Sequence, residues 1–274
     1  MILNELKRVI TSKKFIIVIF IGLLIASVSV YIDIKQYIFF NYDAPDIQTP
    51  ELQEKVKAMV ESGLNKYSVF FSSFLMSIVT MPILSILPFG LSYIEDREYG
   101  IIKQIDMRIK HKKYILSKLL VNGIAGGLAI IIPTIILSIL IFTFLKGDIS
   151  GFYGYGKIGG PFAKLLTENF SLYIVIHIFI NFVLGFAYAS IGLAVSAFIK
   201  NKIAIILSPF LFWILGSIFC SVLNIYNYSP SAISQFYRSA DITISNIFIE
   251  IIFIIVLFSA LFLSKTRKDH IYEQ

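Results

Sequence analysis

One segment of the chain has the spacing of a phosphate-binding loop. Gly151, Gly156 and Lys157 fit the pattern G-x-x-x-x-G-K, in which backbone N–H groups and the lysine hold the phosphates of a nucleotide. Ile158 stands where a serine or threonine would bind magnesium, and no strand pattern precedes the loop. The distribution of basic residues also places this loop on the outer side of a membrane. We therefore expect no cofactor in this chain, neither a nucleotide nor a metal.

Three polar residues inside long apolar segments are the other candidates for chemistry. His177 and Glu250 lie at similar depths from the outer ends of two predicted membrane helices, and Asn181 follows His177 by one helical turn. An ionisable residue inside a membrane helix is costly, so it is by default a hypothesis for function. A contact between His177 and Glu250 could serve a substrate or a gate. The alternatives are a structural pair, or a Glu250 carboxyl that reaches the interface.

The remaining reactive residue types do not form a recognisable catalytic or metal site. The single cysteine, Cys220, excludes a disulfide within the chain and a cysteine-built metal site. The three histidines are far apart in the sequence and lack ligand spacing. The apolar segments contain no His-Glu-x-x-His motif, paired glutamates or Ser-His arrangement. An intramembrane enzyme is therefore the weakest of the functions considered.

The composition and the long apolar runs predict an all-α membrane protein. Of 274 residues, 57% are hydrophobic and only 15% are charged, whereas a soluble domain carries about a quarter charged residues. The runs are long enough to cross a bilayer as helices and lack the alternation of barrel strands. The first run is too long for a signal peptide, so we expect it to remain as a span. Six spans are predicted: Phe15–Ile32, Val69–Ile94, Ile115–Leu145, Leu172–Ile199, Ile203–Leu223 and Ile244–Ser264.

The distribution of basic residues predicts that both termini are cytoplasmic. Two thirds of the 24 lysines and arginines lie in the N-terminal segment, the loop after the second span, the turn after the fourth span and the C-terminal tail. Loops rich in lysine and arginine face the cytoplasm. The net charge of +7 is therefore mostly topological, and we expect no nucleic-acid partner. Residues 1–274 form a single transmembrane domain in this interpretation.

Three segments outside the spans have patterns of their own. Residues 1–14 alternate apolar and charged positions at helical spacing, which predicts an interfacial helix that lies against membrane lipid. Residues 33–66 form a long outer loop, in which Pro50 after a threonine marks the start of a short helix. Residues 146–170 form a second outer loop.

The predicted cytoplasmic loop 95–114 gives the strongest functional signal. Ile101, Ile102, Ile105 and Ile109 fall at helical spacing among charged residues. This pattern is typical of a short amphipathic helix that docks in the groove of a partner, where apolar side chains supply affinity and charges set the register. A loop that only carried a positive-inside signal would need the lysines, but neither the isoleucines nor the acidic cluster before them.

The same region resembles a known family. The stretches Tyr93–Ile102 (YIEDREYGII) and Lys112–Leu120 (KKYILSKLL) are similar to the membrane subunits of ABC-2-type ABC transporters, and so is the plan of an interfacial helix, six spans and two inner termini. Small bacterial permeases that export peptides, or protect against bacteriocins and lantibiotics, resemble the chain in size. The resemblance implies a coupling helix that contacts an ATPase, with Glu98 and Gly100 shaping its turn. The coupling residues implied are Glu95, Arg97, Glu98, Gly100, Ile101, Ile102 and Ile105.

The function implied by this resemblance is transport driven by a separate ATPase subunit, which would bind ATP and magnesium. The chain would form half of a translocation pathway in the bacterial cytoplasmic membrane, either as a homodimer or with a second permease. The expected cargo is a hydrophobic or amphipathic peptide, although the sequence fits a lipid or a drug equally well. The alternative is an ion-coupled carrier that uses Glu250 and His177, for which transport by the purified chain without ATP would be decisive.

Overall fold

The computed structural model describes residues 1–42, 44–47, 49–149, 159–239 and 241–272. These residues form α-helices and short 3-10 helices, and no strand occurs among them. The loop with phosphate-loop spacing, Gly151–Lys157, lies outside the described residues. The structure therefore agrees with the predicted all-α class, within the part of the chain that it describes.

The α-helices of the described ranges follow one another along the chain. In order they are α1 Ile2–Ile10, α2 Lys13–Ile38, α3 Pro50–Gly63, α4 Lys66–Ser72, α5 Ser77–Ile86, α6 Ser92–Glu98, α7 Ile101–Asp106, α8 His111–Phe144, α9 Ala163–Glu168, α10 Phe170–Ser196, α11 Lys202–Val222, α12 Pro230–Ser234 and α13 Ile244–Tyr272. Helices of the 3-10 type cover Gly160–Phe162, Tyr226–Tyr228 and Phe236–Arg238. The helix predicted to start at Pro50 is present as α3, with the proline at its first position.

Five of these helices, α2, α8, α10, α11 and α13, are long and apolar enough to cross a membrane. They coincide with the first, third, fourth, fifth and sixth predicted spans, and α2 and α13 extend several residues beyond the predicted ends. Large apolar side chains on these helices remain exposed, such as Ile139 on α8, Leu215 on α11 and Val256 on α13. Lipid would cover these side chains in a membrane. Several long apolar helices thus indicate a multi-pass membrane protein, with five single-helix candidate spans in the described residues.

The second predicted span is not one helix. Residues 69–94 are divided between α4, α5 and α6, and the pair α4 and α5 is bent by 53° at the break between them. The prediction of a single helix Val69–Ile94 was therefore wrong, although α4 and α5 together count as a sixth span if the bent pair crosses as one unit. Pro88 lies between α5 and α6, where a proline cannot donate the helical hydrogen bond.

A serine of the neighbouring helix satisfies the backbone at the first break. The Ser29 hydroxyl of α2 donates to the Ser72 carbonyl oxygen at 2.6 Å and accepts from the Met76 N–H at 3.2 Å. Backbone groups released from a helix need such partners in an apolar environment. The hydropathy of the segment does not reveal this side-chain contact, which explains why a continuous helix was predicted.

Helices α8 and α10 form the centre of the bundle and approach closely through small residues. A Cβ atom at Gly126 would lie 2.5 Å from the Ala189 Cβ and 2.6 Å from the Ser85 carbonyl oxygen, and one at Gly185 would lie 2.9 Å from the Gly126 carbonyl oxygen. Small residues allow such backbone approach between membrane helices. Gly185 and Ala189 on α10 thus lie directly against Gly126 of α8, whereas Gly123 contacts the Phe186 ring.

The two ends of the bundle differ in composition. One end, called the basic end here, contains residues 1–14, 92–118 and 197–202, which are joined by the ion pairs Lys14–Glu95 and Lys202–Glu98. The opposite end, called the aromatic end, contains α3, α4, α9, α12 and the 3-10 helix Phe236–Arg238. The long helices run between these ends, so both ends lie at the limits of the candidate spans.

Candidate functional site

The basic end contains a buried ion pair between α6 and α8. The Lys118 ammonium lies 2.6 Å from the Asp96 carboxylate, and only 1% of the lysine side chain is exposed. The Tyr114 hydroxyl donates to the same Asp96 oxygen at 2.8 Å. The carboxylate of Glu5 on α1 lies 3.8 Å from the Lys118 ammonium and accepts a 3.4 Å hydrogen bond from Ser117. This group, called the ion-pair cluster here, joins three helices.

The sequence places these side chains together by simple helical geometry. Tyr114 and Lys118 are four residues apart on α8, so they share a face and lie one above the other. The Lys118 ammonium also lies 4.6 Å from the centre of the Phe89 ring, within the range of a cation–π contact. Charges removed from water persist when they are paired and hydrogen-bonded. The cluster therefore fixes α6 against α8 more strictly than apolar packing would.

The turn after α6 has the geometry expected for its glycine. Gly100 has a φ of 67°, and its N–H donates to the Arg97 carbonyl oxygen at 3.2 Å. A glycine just beyond the end of a helix commonly adopts this left-handed conformation. The chain then begins α7 at once, and the Asp106 carboxylate contacts the His111 ring at 3.0 Å at the start of α8. Helix α7 is therefore held at both ends.

The predicted docking isoleucines lie partly against the chain's own core. Ile102 and Ile105 pack against a buried cluster that includes Tyr93, Tyr114 and Phe262. Ile101 is half-buried. The apolar face of α7 thus attaches the helix to the bundle, a possibility that the sequence interpretation did not consider. Only part of this face is available to another protein.

The apolar side chains that are most exposed in this region flank α7. Tyr99 is 74% exposed and Met107 is 81% exposed. Sequence reasoning missed both residues because it assigned the contact to the isoleucines at helical spacing. The signal was present in the sequence, since a large apolar residue stands beside a charged residue near each end of the helix.

The predicted charged residues occupy three different environments. Glu95 pairs with Lys14 of α2 at 2.9 Å, and Glu98 pairs with Lys202 of α11 at 2.8 Å. Arg97, which lies between these two glutamates in the sequence, is half-buried. The exposed pairs are weak individually, but they connect α6 to α2 and to α11. Asp96 and Lys118, which were not among the predicted site residues, are the most deeply buried charges of this region.

His177 on α10 lies in a cage of aromatic rings at the other end of the bundle. Its ring centre is 4.5 Å from that of Phe74, 5.1 Å from that of Phe236 and 5.6 Å from that of Tyr237. The residue is 1% exposed, and neither ring nitrogen has a hydrogen-bond partner among the described residues. Asn181 donates from its amide to the His177 carbonyl oxygen at 2.9 Å, so it supports the helix and not the ring.

Glu250 on α13 is buried without a hydrogen-bond partner. It is 6% exposed, and neither carboxyl oxygen finds a donor in the described part of the chain. The predicted contact with His177 is therefore not a hydrogen bond in this structure. A satisfied polar group lies elsewhere on α10, where the Tyr188 hydroxyl is 3.1 Å from the Ser234 hydroxyl.

A cleft at the aromatic end lies beside the histidine cage. It has a volume of about 230 Å³, and its lining includes Asp33, Tyr37, Ser72, Tyr237 and Arg238. The Ser72 hydroxyl donates to the Asp33 carboxylate. Burial raises the pKa of the Tyr237 phenol above its ordinary value, so this hydroxyl stays protonated, and it has no partner among the described residues. The cleft combines two opposite charges with aromatic walls.

No three His, Cys, Asp or Glu side chains come together as a metal site in the described ranges. The candidate functional residues thus lie in two regions, a basic end held together by ion pairs and an aromatic end with unsatisfied polar groups.

Comparisons of the chain with protein-family models, with curated proteins and with solved structures find no match.

Proposed function

We propose that this chain is the membrane subunit of an ABC transporter, which couples a separate ATPase to transport across the bacterial cytoplasmic membrane. In this proposal both termini and the basic end face the cytoplasm, since most basic residues lie there. Helices α4 and α5 cross as one bent span, which gives six spans, and α1 lies in the membrane interface. ATP and magnesium bind the partner ATPase.

The observation that carries the proposal is the attachment of α7 to the bundle. A helix that transmits the movement of an ATPase must be exposed to the partner and must be rigidly attached to the membrane helices. Helix α7 is flanked by the exposed Tyr99 and Met107. Behind it, Asp96 and Lys118 form a buried ion pair between α6 and α8. A displacement of α7 would therefore pass to the central helix of the bundle.

The proposed contact with the ATPase differs in part from the expectation based on sequence. Tyr99 and Met107 supply the apolar contact, because Ile102 and Ile105 pack on the chain itself. Aromatic residues and methionine are enriched in the cores of protein interfaces. Ile101 remains at the edge of this contact. The exposed charges of α6 would set the register in which the ATPase binds.

Co-purification with an enzymatic readout tests the proposal. The tagged full-length chain is purified in mild detergent from its source cells, and the ATP hydrolysis that it carries is measured. The double variant Tyr99→Asp/Met107→Asp places two charges in the proposed contact, so the recovered ATPase activity should fall at least about tenfold, as for the loss of interface hot spots.

The matched control places two charges in the segment between α2 and α4. Tyr42 and Leu52 are also exposed apolar residues outside the long helices, so Tyr42→Asp/Leu52→Asp should leave the recovered activity unchanged. An ATPase-free preparation of the unmodified chain would reject the proposal. Equal recovery with both double variants would reject the assigned contact.

The proposed cargo is a hydrophobic or amphipathic peptide, carried by a homodimer or by this chain with a second permease. The cleft of about 230 Å³ supports this choice, because Asp33 and Arg238 offer charges of both signs and Tyr37 and Tyr237 offer aromatic contacts. Export from the cell or protection against an external peptide would use the same cleft. Survival of cells exposed to a bacteriocin, with Asp33→Asn as the variant, would measure the second role.

An ion-coupled carrier is the second candidate, since Glu250 is a buried carboxyl inside a candidate span and lacks a hydrogen-bond partner. Such a group could take up and release a proton during transport. Proton uptake into liposomes that contain only this chain, followed with an entrapped pH-sensitive dye, would support the carrier if Glu250→Gln abolished it. No uptake by the unmodified chain would leave the ATPase-driven function as the explanation.

A further inference from the structure

A cleft of about 300 Å³ opens at the basic end, between the corner that joins α1 to α2 and the segment that joins α5 to α6. Its walls include four cationic residues, Arg8, Lys13, Lys14 and Lys118. The carboxylates in the same cleft belong to Glu95 and Asp96, so positive charge predominates in it.

Two of the four cations are not neutralised within the chain. Lys118 pairs with Asp96 and Lys14 pairs with Glu95. Arg8 and Lys13 have no carboxylate partner in the described part of the molecule. An anion in the cleft would therefore meet two free positive charges from two different helices. Such an arrangement favours a group with one or two negative charges.

Backbone geometry adds to this preference. The N-terminus of α2, a helix of 26 residues, forms one wall of the cleft, because Ser12, Lys13 and Lys14 line it. The free N–H groups and the dipole of a helix N-terminus attract phosphate. The Ser12 hydroxyl already accepts from the Phe15 N–H at 3.2 Å, so it caps the helix without filling the cleft.

An unsatisfied hydroxyl in the cleft wall is a second, independent sign of a ligand. Ser92 lines the cleft, is 8% exposed, and its hydroxyl has no hydrogen-bond partner among the described residues. A buried hydroxyl without a partner costs free energy that a bound acceptor would recover. A phosphate oxygen is an acceptor that suits both this hydroxyl and the neighbouring cations.

The position of the cleft identifies the source of the phosphate. The apolar part of the candidate span α2 begins directly after Lys14, at Phe15, so the cleft lies where the hydrocarbon of a bilayer would end. Leu3 on α1 is 78% exposed and could extend into the acyl region beside it. We propose that this cleft binds a phosphate group, supplied by the headgroup of an anionic phospholipid. This inference does not depend on the proposed transport function.

Lipid retention by the purified full-length chain tests the inference. The chain is reconstituted in nanodiscs of phosphatidylcholine with one tenth phosphatidylglycerol, extracted in mild detergent, and its retained lipids are quantified by native mass spectrometry. The unmodified chain should retain phosphatidylglycerol preferentially. Arg8→Gln/Lys13→Gln removes both free cations and keeps the two ion pairs, so retention should fall about tenfold, because each basic residue near a membrane surface contributes substantially to anionic lipid binding.

The control removes the same charge at the same end, outside the cleft. Lys7→Gln/Lys200→Gln should reduce retention less than about threefold, and all variants should keep the melting temperature of the unmodified chain. Equal losses in both double variants, or no preference in the unmodified chain, would overturn the proposal. In a second arm, inorganic phosphate is added to the lipid-free chain and followed by the line width of its ³¹P resonance. Broadening that Arg8→Gln/Lys13→Gln abolishes, without lipid retention, would identify free phosphate as the source.

Discussion

The ion-pair cluster at the basic end and the polar groups near the aromatic end show two opposite ways of burying polarity. Lys118 and Asp96 are almost fully buried, yet they bind each other and receive a further hydrogen bond from Tyr114. His177 and Glu250 are buried to a similar extent, and their ring nitrogens and carboxyl oxygens have no hydrogen-bond partner in the described residues. Similar burial therefore has different energetic consequences.

The two arrangements differ in what they contribute to stability. A compensated charge pair holds its helices in one arrangement, since separating the charges would leave each of them buried alone. An uncompensated polar group contributes nothing comparable to stability and lowers it unless another molecule binds it. In the proposed function, the first arrangement would suit the transmission of force from α7. The second suits a group that changes its partner or its protonation during a cycle.

The largest effect should follow from breaking the compensated pair. Lys118→Met leaves the Asp96 carboxylate buried without its cation, and we expect a loss of about 3 to 5 kcal/mol in the free energy of unfolding. The midpoint of thermal unfolding in detergent would fall accordingly.

A double variant distinguishes charge from packing at this position. Lys118→Met/Asp96→Asn removes both charges and keeps an acceptor for the Tyr114 hydroxyl, so it should recover most of the lost stability. If the double variant were as unstable as Lys118→Met, the lysine would stabilise the protein through its cation–π contact with Phe89 and not through its ion pair with Asp96.

Substitution of Glu250 on α13 should change the free energy of unfolding by less, and in the opposite direction. Glu250→Met replaces an unpartnered carboxyl by an apolar side chain of similar length, and should raise the free energy of unfolding by about 1 to 3 kcal/mol. In the ion-coupled alternative, the same variant should also abolish proton uptake into liposomes. One preparation serves both measurements, the unfolding midpoint in detergent and the proton uptake.

A nearby satisfied group provides the comparison for Glu250. Tyr188→Phe removes the hydroxyl that contacts Ser234 at 3.1 Å, so it should lower the free energy of unfolding by about 1 kcal/mol. If Glu250→Met also destabilised the protein, Glu250 would have a partner that the described residues do not contain, and the contrast between the two regions would be lost.

The sequence predicted the long helices well because their apolar runs depend on local composition. Five of the six predicted spans correspond to single helices. The break near Ser72 could not be predicted, since the backbone there is satisfied by Ser29, 43 residues earlier in the chain. Hydropathy averages over such a contact and therefore indicates one continuous helix.

The sequence predicted a short helix in the region of α7, but not the contacts that hold it. Helix α7 covers Ile101–Asp106 and ends before Ile109, and Gly100 turns the chain ahead of it with a φ of 67°. The pairing of Asp96 with Lys118 depends on how α6 meets α8, which spacing within one helix does not determine. For the same reason, the sequence could not show that Ile102 and Ile105 face the bundle.

The smallest effect on stability is expected in the histidine cage. His177→Phe removes two ring nitrogens that bind nothing among the described residues and adds little volume, so the free energy of unfolding should stay within about 1 kcal/mol of the original. Phe74→Ala, which empties the neighbouring position 4.5 Å away, should instead cost about 3 to 5 kcal/mol, since it leaves a cavity. Thermal unfolding of the two variants side by side measures both values.

A large loss from His177→Phe would mean that the imidazole binds a water molecule or a ligand, and would place His177 with the compensated groups. A neutral effect on stability combined with a loss of transport would show that the ring is kept for the transport cycle, because the fold itself would not need it.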